Sequence, residues 1–514
     1  MHQEIFGSFA PREAAAPMSG VQGWWKGTAF HDMRLAVPPR VQSSRPAIAR
    51  SRPMELSGLC RRSGACSHIG AGENVEPGDT MKMRPSTALS LCTVALLLPA
   101  LGHAKEASGH KLELKGRIVH FDRAFENPAN DRTQTGLGLQ LKYESPYLAD
   151  TVGVGIAGYS VTRLDSSGRV VTDILKVDSQ GKYHDSFGKI AEAYLKIRHR
   201  DVVEVTLGRQ VHNSLLLFSA TSRAVPNTYS GASAAVMPTQ DLKLYGALYD
   251  RWSRRAGSGF EKFATDRSAR GDIDYVGVLG ANYRNGPVAV TFEYLESKDF
   301  LRKAGLVGSY TFALPDMSTL KLTGGVHTSQ DAGKLFVTAS ASSKLDDEDK
   351  YPGGARSDND GLGAYIDLEW RTGNLMLGAG VAKFDGAWVE SNFAGDHGMN
   401  PFPTGGALAD MTNRDETVWV VRAGYDWKDY VKGLRTGVSY KKGTGARNSH
   451  VPHLGKADED ELDIDLRYQV PAVKGLNLRY RYLKYTSNKV GLLDGVLPDN
   501  TDHRVYIDYT YRFF

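Results

Sequence analysis

Cysteine is scarce in this 514-residue sequence, and the position of the few cysteines is informative. All three of them, Cys60, Cys66 and Cys92, lie near the N-terminal end of the chain. The sequence contains no cysteine from Lys105 onward. That long segment can therefore have neither a disulfide framework nor a thiolate metal site.

Long apolar runs and a strong net charge are also missing after Lys105. No segment there offers the roughly 20 consecutive apolar residues that a membrane helix requires, and the apolar residues do not recur with a helical period. Of the 63 Lys and Arg, 52 lie in this segment, against 51 of the 58 Asp and Glu, so its net charge is about +1. This balance gives no reason to expect nucleic acid as a partner, and any electrostatic function must come from local separation of charges.

One apolar run does occur before Lys105, and its setting indicates a secretory signal peptide. The basic stretch Met81-Lys82-Met83-Arg84 precedes an apolar run over 88–101, and small residues follow at Gly102 and Ala104. This order is that of a signal peptide, and the run is too short to span a membrane as a helix. We expect 81–104 to be the signal peptide and 105–514 the mature chain. Residues 1–80, which show no hydrophobic period, would be a start-site artefact or a disordered extension.

The mature chain is rich in alternation of apolar and polar residues. The segments "LDIDLRYQV" (462–470) and "LNLRYRY" (476–482) are two of many blocks of about ten residues with a period of two, the signal of a half-buried strand. The links between blocks alternate between short turns and long polar loops. Eight short turns and nine long loops predict 18 strands. Without the predicted strand Ser230–Met237 and its neighbour, the count would fall to 16.

This pattern predicts an all-β fold, a transmembrane antiparallel β-barrel with short periplasmic turns and long extracellular loops. Lipid offers no partners for backbone N–H and C=O groups, so a sheet in a membrane must close. A soluble sandwich would also alternate, but it need not end in aromatic residues. The ending "HRVYIDYTYRFF" places Tyr509, Tyr511 and Phe513 two residues apart and resembles the signal read by the barrel-assembly machinery, although Phe514 extends one residue beyond the usual end. The expected location is the outer membrane of a Gram-negative bacterium, with lipid and lipopolysaccharide around the barrel.

Several segments together resemble the OprD-type substrate-specific outer-membrane porins over residues 111–514. They are "VTLGRQ" (205–210), "SRAVPNTYSG" (222–231) in the loop that follows, "LNLRYRYLKY" (476–485) and "HRVYIDYTY" (503–511). The resemblance implies an 18-stranded monomeric barrel that often forms a loose homotrimer, with inward-folded third and seventh loops. It also implies a ladder of lumenal arginines with an acidic patch opposite. The expected cargo is small anionic or zwitterionic solutes, such as amino acids, short peptides and aromatic acids.

Alternation places one set of basic residues in the lumen: Lys115, Arg117, Arg251, Arg422, Arg467, Arg479, Arg481 and Arg504. The last four fall on three consecutive strands and predict a track of positive charge on one side. The resemblance adds Arg209 and Arg223 at the constriction, with Thr228, Tyr229 and Ser230 as neutral hydrogen-bonding residues. Strict alternation would point Arg209 at lipid, so its assignment requires the strand to kink or end at Gly208. The acidic residues expected in the lumen are Asp367, Glu369, Asp463, Asp465 and Asp508.

The sequence also allows other interpretations of these residues and of the chain's function. Each arginine could pair with a carboxylate across strands and only stabilise the barrel. The chain could be a less selective 16-stranded diffusion porin, or an outer-membrane enzyme, although its Ser and His residues show no catalytic motif. We expect no cofactor and no metal site. The acidic segments 344–350 and 456–461 read as solvated loops, with divalent-ion bridging to lipopolysaccharide as the alternative.

The first prediction concerns processing. We expect the purified protein to begin at Lys105, because Gly102 and Ala104 present small residues to signal peptidase. N-terminal sequencing or an intact mass measurement would check this, and a mature chain that begins before Lys105 would contradict it.

Overall fold

The computed structural model describes residues 109–265, 271–336, 359–396, 400–448, 455–488 and 498–514, and all statements below concern these ranges. The expected N-terminal extension, the signal peptide and the acidic segment 344–350 lie outside them. Within these ranges, no helix has the length and apolar composition that crossing a bilayer demands.

Eighteen long strands form one antiparallel sheet. Two short strands, β8 (Glu261–Ala264) and β9 (Asp272–Ile273), lie in the link between β7 and β10, and a 3-10 helix at Pro128–Asn130 follows β1. The long strands are β1 (Lys111–Phe125), β2 (Arg132–Glu144), β3 (Val152–Gly168), β4 (Ser186–His199), β5 (Val203–Gln210), β6 (Thr228–Val236), β7 (Leu242–Ser253), β10 (Val276–Asn285), β11 (Val288–Ser297), β12 (Leu301–Ala313), β13 (Thr319–Asp331), β14 (Asp360–Thr372), β15 (Leu375–Phe384), β16 (Thr417–Asp426), β17 (Leu434–Ala446), β18 (Ala457–Gln469), β19 (Leu476–Ser487) and β20 (Asn500–Arg512).

The sheet closes on itself. Strand β1 pairs with β2 on one side and with β20 on the other, where Arg117 lies opposite Asp508. Closure gives every long strand two neighbours, as a barrel in lipid requires. The predicted fold class and the count of 18 strands are confirmed, and the predicted strand at Ser230–Met237 is present as β6. The 16-stranded alternative is wrong.

Side chains alternate between the two faces of the sheet, and the apolar face points outward. On β14, Ile366 is 58% exposed, whereas the next residue, Asp367, is only 9% exposed. Large apolar residues such as Leu279, Leu248 and Val421 are likewise among the most exposed. A soluble protein would bury these side chains, so the exposed apolar face is the one that lipid covers.

The links also follow the expected order, with two exceptions. The link between β11 and β12 spans only 298–300, because Asp299 adopts a left-handed conformation (φ 57°) that closes a tight turn. The acidic segment 456–461 is not a loop but the start of β18, where Glu459 and Glu461 are buried. Polar composition made both segments look like long loops.

The largest hydrophobic cluster lies inside the barrel and involves two long links, loop 3 (211–227) and loop 7 (385–416). Phe393 and Phe402 of loop 7 contact aromatic side chains of the inner face. The ring centroids of Phe393 and Trp252 are 4.7 Å apart, as are those of Phe402 and Phe384. The long loops therefore fill part of the lumen and leave the rest to polar side chains.

The second prediction tests which face meets lipid. Ile366 lies midway along β14 on the outer face, so Ile366→Arg should destabilise the barrel by about 2–4 kcal/mol. The matched control is Ser439→Arg, midway along β17 on the inner face opposite Asp463, which should cost much less. Urea unfolding of the barrel in phospholipid vesicles would measure both. Equal losses for the two variants would contradict the assignment of faces.

Candidate functional site

Arginines gather in two adjacent rows of the sheet. In one row, Arg504 of β20 lies opposite Arg481 of β19. In the next row, Arg479 of β19 lies opposite Arg467 of β18, which in turn lies opposite Arg435 of β17. We call these five residues, together with Arg117 on β1, the arginine wall. The structure thus brings together the four arginines that alternation grouped on consecutive strands.

The carboxylates of the arginine wall lie between its arginines. Asp465 accepts hydrogen bonds from Arg467 at 2.8 Å and from Arg479 at 2.6 Å. Asp463 pairs with Arg481, and Asp508 accepts from Arg117 at 3.0 Å. These three acidic residues therefore sit within the positive wall, on the same strands.

Asp367 and Glu369, the other two predicted acidic residues, lie on β14. Asp367 accepts two hydrogen bonds from Arg422, at 2.6 and 2.7 Å, in a bidentate pair. Glu369 accepts from Arg371 at 2.7 Å. The Arg422 side chain is only 7% exposed, so this pair mainly stabilises the barrel.

A second group of arginines lies where loop 3 meets the arginine wall. Arg223 of loop 3 is buried and forms an ion pair with Asp173 of loop 2 (169–185). Arg123 of β1 bridges Asp173 at 2.9 Å and Asp502 at 2.8 Å. Arg504 also pairs with Asp502, at 2.8 Å. The site predicted for Arg223 thus involves four elements distant in sequence: β1, loop 2, loop 3 and β20.

Loop 4 (254–275) adds a fourth arginine to this group. Arg255 is buried and donates to the Ser222 hydroxyl at 3.1 Å. Among the described residues it has no carboxylate within 4 Å. We call Arg123, Arg223, Arg255 and Arg504 the arginine cluster. With Asp173 and Asp502, the cluster contains four guanidinium groups and two carboxylates.

Burial and neighbouring charges together set the pKa values of the loop residues at this site, Arg223, Arg255 and Asp173. Burial lowers the pKa of Arg223, and the neighbouring Asp173 opposes this effect. Burial also lowers the pKa of Arg255, helped by the charge of Arg223. For Asp173, burial alone would raise the pKa, but Arg223 and Arg123 outweigh it and hold the pKa well below its usual range. Asp173 is therefore ionised at neutral pH.

Aromatic rings complete the surroundings of these arginines. The guanidinium groups of Arg223 and Arg504 each lie 4.7 Å from the centre of the Phe121 ring, and that of Arg123 lies 5.1 Å from it. Cations at this distance over an aromatic face are attracted by its quadrupole. Phe121 thus offsets part of the mutual repulsion of the three arginines.

Loop 3 is anchored inside the barrel. Glu293 of β11 accepts hydrogen bonds from the backbone N–H groups of Leu215 at 2.9 Å and Leu216 at 2.8 Å. Arg117 donates to the carbonyl oxygen of Arg223 at 3.2 Å, which ties loop 3 to the arginine wall. At Gly138 of β2 the carbonyl of Ala224 approaches so closely that a Cβ atom would meet its oxygen at 2.3 Å. Loop 3 therefore folds inward, as expected.

Loop 7 is held in a similar way. Glu461 of β18 accepts hydrogen bonds from the backbone N–H groups of Ala407 at 2.6 Å and Ala409 at 3.1 Å. Asn392 of loop 7 donates to the carbonyl oxygen of Leu216 in loop 3 at 2.9 Å. Loops 3 and 7 thus meet within the lumen, so both contribute to the narrowing expected of them.

Three predicted lumenal residues lie on the outer face. Arg209, Ser230 and Arg251 are opposite one another on β5, β6 and β7, in the row next to the inward-facing Tyr249. A β-bulge at Asp250 shifts the register of β7, so Arg251 points outward where simple alternation predicted the lumen.

The lumenal assignment of Arg209 required the strand to kink or end at Gly208, and this condition is not met. Gly208 has a φ of +122°, yet β5 continues through it to Gln210, so the alternation persists. Arg209 is exposed, and its guanidinium lies 4.5 Å from the centre of the Phe260 ring. The lumenal assignments of Arg209, Ser230 and Arg251 are therefore wrong.

Tyr229 and Thr228 are inside the barrel but fully buried, so neither can face a passing solute. The Tyr229 hydroxyl donates to the carbonyl oxygen of Phe218 at 3.1 Å and accepts from Asn227 at 3.0 Å. The expected role of these two residues as neutral hydrogen-bonding groups for a solute is wrong, and Tyr229 instead holds loop 3 together.

Sequence reasoning missed five residues of the site: Arg123, Asp173, Arg255, Arg435 and Asp502. Continued alternation would have placed Arg435 inward, two residues before Gly437 on β17. The sequence pattern ends the first predicted strand at Phe121 and the last predicted long loop at 502, so Arg123 and Asp502 fall outside the predicted strands. Asp173 and Arg255 lie in loops, where no periodicity marks them.

Comparison with known proteins identifies relatives of this chain. The family model described as outer membrane porin, OprD family, matches residues 107–513. Porin D of Pseudomonas aeruginosa is 24% identical over 428 residues, which cover 77% of this chain and 90% of that protein. These relatives are porins rather than enzymes.

Two solved structures share the fold. The crystal structure of Pseudomonas aeruginosa OpdK with vanillate matches with a TM-score of 0.66 and 21% identity, over 78% of this chain and 98% of that one. Pseudomonas aeruginosa OccK2 (OpdF) in complex with glucuronate matches with a TM-score of 0.62 and 20% identity, over 79% and 98%.

The third prediction concerns Asp173. Asp173→Asn should cost about 3 kcal/mol of stability at neutral pH, because it leaves the buried Arg223 without its counter-charge and removes one of the two carboxylates that Arg123 bridges. Since the pKa of Asp173 is depressed, its contribution is present above the pKa of an unfolded Asp, about 3.9, and shrinks as the pH falls below that value.

Urea unfolding at pH 7 and at pH 3 would measure this difference. The control is Asp178→Asn in the same loop, where an exposed side chain accepts only backbone hydrogen bonds that asparagine can also accept. Equal losses for the two variants, or a loss for Asp173→Asn that grows toward acid pH, would contradict the assignment.

Proposed function

The chain belongs to the OprD family of outer membrane porins, and on this basis we propose that it takes up small carboxylate-bearing solutes across the outer membrane. Uptake is passive. The solutes are amino acids, short peptides or aromatic and other organic acids, and they pass the arginine cluster and then move along the arginine wall.

The observation that carries this proposal is the row formed by Arg479, Arg467 and Arg435. Like charges directly opposite one another destabilise a sheet. A barrel that needed only internal pairing would alternate acidic and basic residues in such a row. Three arginines in register are therefore costly for stability, and binding of anions gives a reason for them.

The balance of charge supports the same conclusion. The arginine cluster and the arginine wall are linked through their shared arginine, Arg504, and through contacts with loop 3. Together they hold more guanidinium groups than carboxylates, so anions are attracted to this side of the lumen.

Exposure distinguishes the arginines that a solute can reach. The side chains of Arg467 and Arg479 are 24% and 30% exposed, although both contact Asp465. A guanidinium carries five N–H donors in a planar fork, so each can bind a solute carboxylate while it keeps or exchanges its contact with Asp465.

The strength of this attraction suits transport. At an effective dielectric of about 20, unit charges 4 Å apart attract by about 4 kcal/mol, and the water of a channel weakens the attraction further. Transport requires sites in series that bind and then release. The ligands named for the two solved relatives, vanillate and glucuronate, both carry a carboxylate and support this cargo class.

The less selective diffusion porin is the other function considered. The 18-stranded barrel and the anchoring of loops 3 and 7 in the lumen do not favour a less selective porin. The buried pairing of Arg422 with Asp367 supports a structural role for some lumenal arginines.

The proposal includes further partners. The exposed apolar face contacts outer-membrane lipid, and the long loops contact lipopolysaccharide. Strand β20 presents Tyr509 and Tyr511, followed by Phe513, as the signal for the barrel-assembly machinery. A loose homotrimer is the proposed assembly, and chemical cross-linking in native membranes would test it by the presence or absence of a trimer band.

The fourth prediction tests the arginine wall. Arg479→Gln should lower the permeation rate of small organic acids about tenfold, because one charge-assisted hydrogen bond to the carboxylate is lost. Permeation of neutral sugars should not change. Liposome swelling with a panel of organic acids, amino acids and sugars would measure both rates.

The matched control for this prediction is Arg371→Gln on β14, which removes a similarly exposed arginine outside the arginine wall. It should leave organic-acid permeation within about twofold of the original protein. Neutral sugars that permeate the original protein as readily as organic acids would contradict the proposed function. An unchanged rate in Arg479→Gln would favour a purely structural role for this arginine.

A further inference from the structure

A cavity of about 430 Å³ lies beneath loop 3, on the side of the barrel away from the arginine wall. Its roof is the segment 213–215 of loop 3. Its sides come from β5, β6, β7, β10 and β11. The inward-facing polar residues among its lining are Glu204, Thr206, Ser233, Lys243, Asn282 and Thr291.

Glu204 and Lys243 are the charged residues of this cavity, and both side chains are exposed. Within the described part of the chain, neither makes an ion pair within 4 Å. Arg198 lies opposite Glu204 in the sheet, but it pairs instead with Asp150 at 3.1 Å. The arginines of the arginine wall, by contrast, already contact carboxylates. In this cavity, Glu204 and Lys243 are not neutralised by an ion pair within the described residues, so both charges can interact with a solute.

The strand register fixes how far apart the Cα atoms of these two residues are. Glu204 lies in the same row as Tyr245, two strands away, and Lys243 lies two residues before Tyr245 on β7. With about 4.8 Å between strands and 3.4 Å per residue, the two Cα atoms are about 12 Å apart. Because both side chains are long, a solute of a few non-hydrogen atoms can span the space between their charged groups.

Polar groups fill the wall between the two charges. Thr206 offers a hydroxyl group, and Asn282 lies opposite Lys243 in the sheet. Ser233 donates its hydroxyl proton to Gln210 at 2.7 Å and offers its oxygen as an acceptor. The charge of Lys243 also reaches loop 3. Burial lowers the pKa of His212 to about 4, and Lys243 adds to this shift. The lining of the cavity runs from Glu204 and Lys243, near the short turns, to residues 213–215 of loop 3.

We propose that this cavity is a second solute-binding site, which selects solutes that carry both an ammonium group and a carboxylate. Glu204 accepts hydrogen bonds from the ammonium group, and Lys243 binds the carboxylate. The inference rests on the proposed function and deepens it. The arginine wall recognises the carboxylate alone, whereas this site distinguishes zwitterionic solutes from simple acids after they have passed loop 3.

Planar-bilayer recording of single channels tests this site with three related probes added on the periplasmic side. They are 4-aminobutanoate, which carries both charges, butanoate, which carries only the carboxylate, and neutral butanamide. The quantity measured is the concentration of each probe that halves the current. In the original protein, 4-aminobutanoate should act at a lower concentration than butanoate, and butanoate at a lower one than butanamide.

Three variants separate the roles of the two charges. Glu204→Gln should raise the half-blocking concentration of 4-aminobutanoate about tenfold and leave that of butanoate unchanged. Lys243→Met should raise both values. Asp429→Asn, on the periplasmic turn after β16, is the control, because it makes the same change of charge outside the cavity and should alter neither.

The outcomes distinguish this inference from the proposed function. Equal effects of Glu204→Gln on 4-aminobutanoate and butanoate, or no effect on either, would overturn the zwitterion site. If Lys243→Met left both half-blocking concentrations unchanged, the proposed binding of the carboxylate by Lys243 would be overturned. If the original protein did not distinguish butanoate from butanamide, the carboxylate selectivity of the proposed function would fail, whatever Glu204→Gln showed.

Discussion

The absence of hydrogen-bond partners in hydrocarbon determines this structure. A strand in lipid must find partners for its backbone N–H and C=O groups within the sheet, so the sheet has to close. The pairing of β1 with β20 meets this demand. Once the sheet is closed, each strand has one face in lipid and one in the lumen. That division places apolar residues such as Ile366 outside and allows charged residues such as Asp367 inside.

Carboxylates serve two different purposes inside the barrel. Glu293 and Glu461 accept hydrogen bonds from backbone N–H groups and hold loops 3 and 7 in the lumen. Asp465 instead lies among arginines and offsets part of their repulsion. Glu293 holds loop 3 from β11, across the barrel from the arginine wall, whereas Glu461 holds loop 7 from β18, a strand of the wall itself. In the proposed function, the path of a solute past the arginines therefore depends on how both loops are anchored as well as on the arginines themselves.

Period-two alternation predicted the number of strands and the grouping of Arg467, Arg479, Arg481 and Arg504, because a long regular strand has only two faces. It failed at Arg251, since the bulge at Asp250 moves one residue to the other face and has no signature in composition. The prediction for Arg209 failed because Gly208 did not end the alternation. The ion pair between Asp173 and Arg223 could not be predicted, since it joins two loops whose approach depends on the whole barrel.

In the proposed function, Asp465 also keeps the basic wall from holding a solute too tightly. Its carboxylate contacts both Arg467 and Arg479, so an incoming solute carboxylate competes with one that is already tethered in place. The net gain on binding is then the difference between two similar ion pairs, which is much smaller than either alone. When the solute moves on, Asp465 restores the original contacts without the need for water to solvate bare guanidinium groups. An internal competitor of this kind lets charge select the solute while release remains fast.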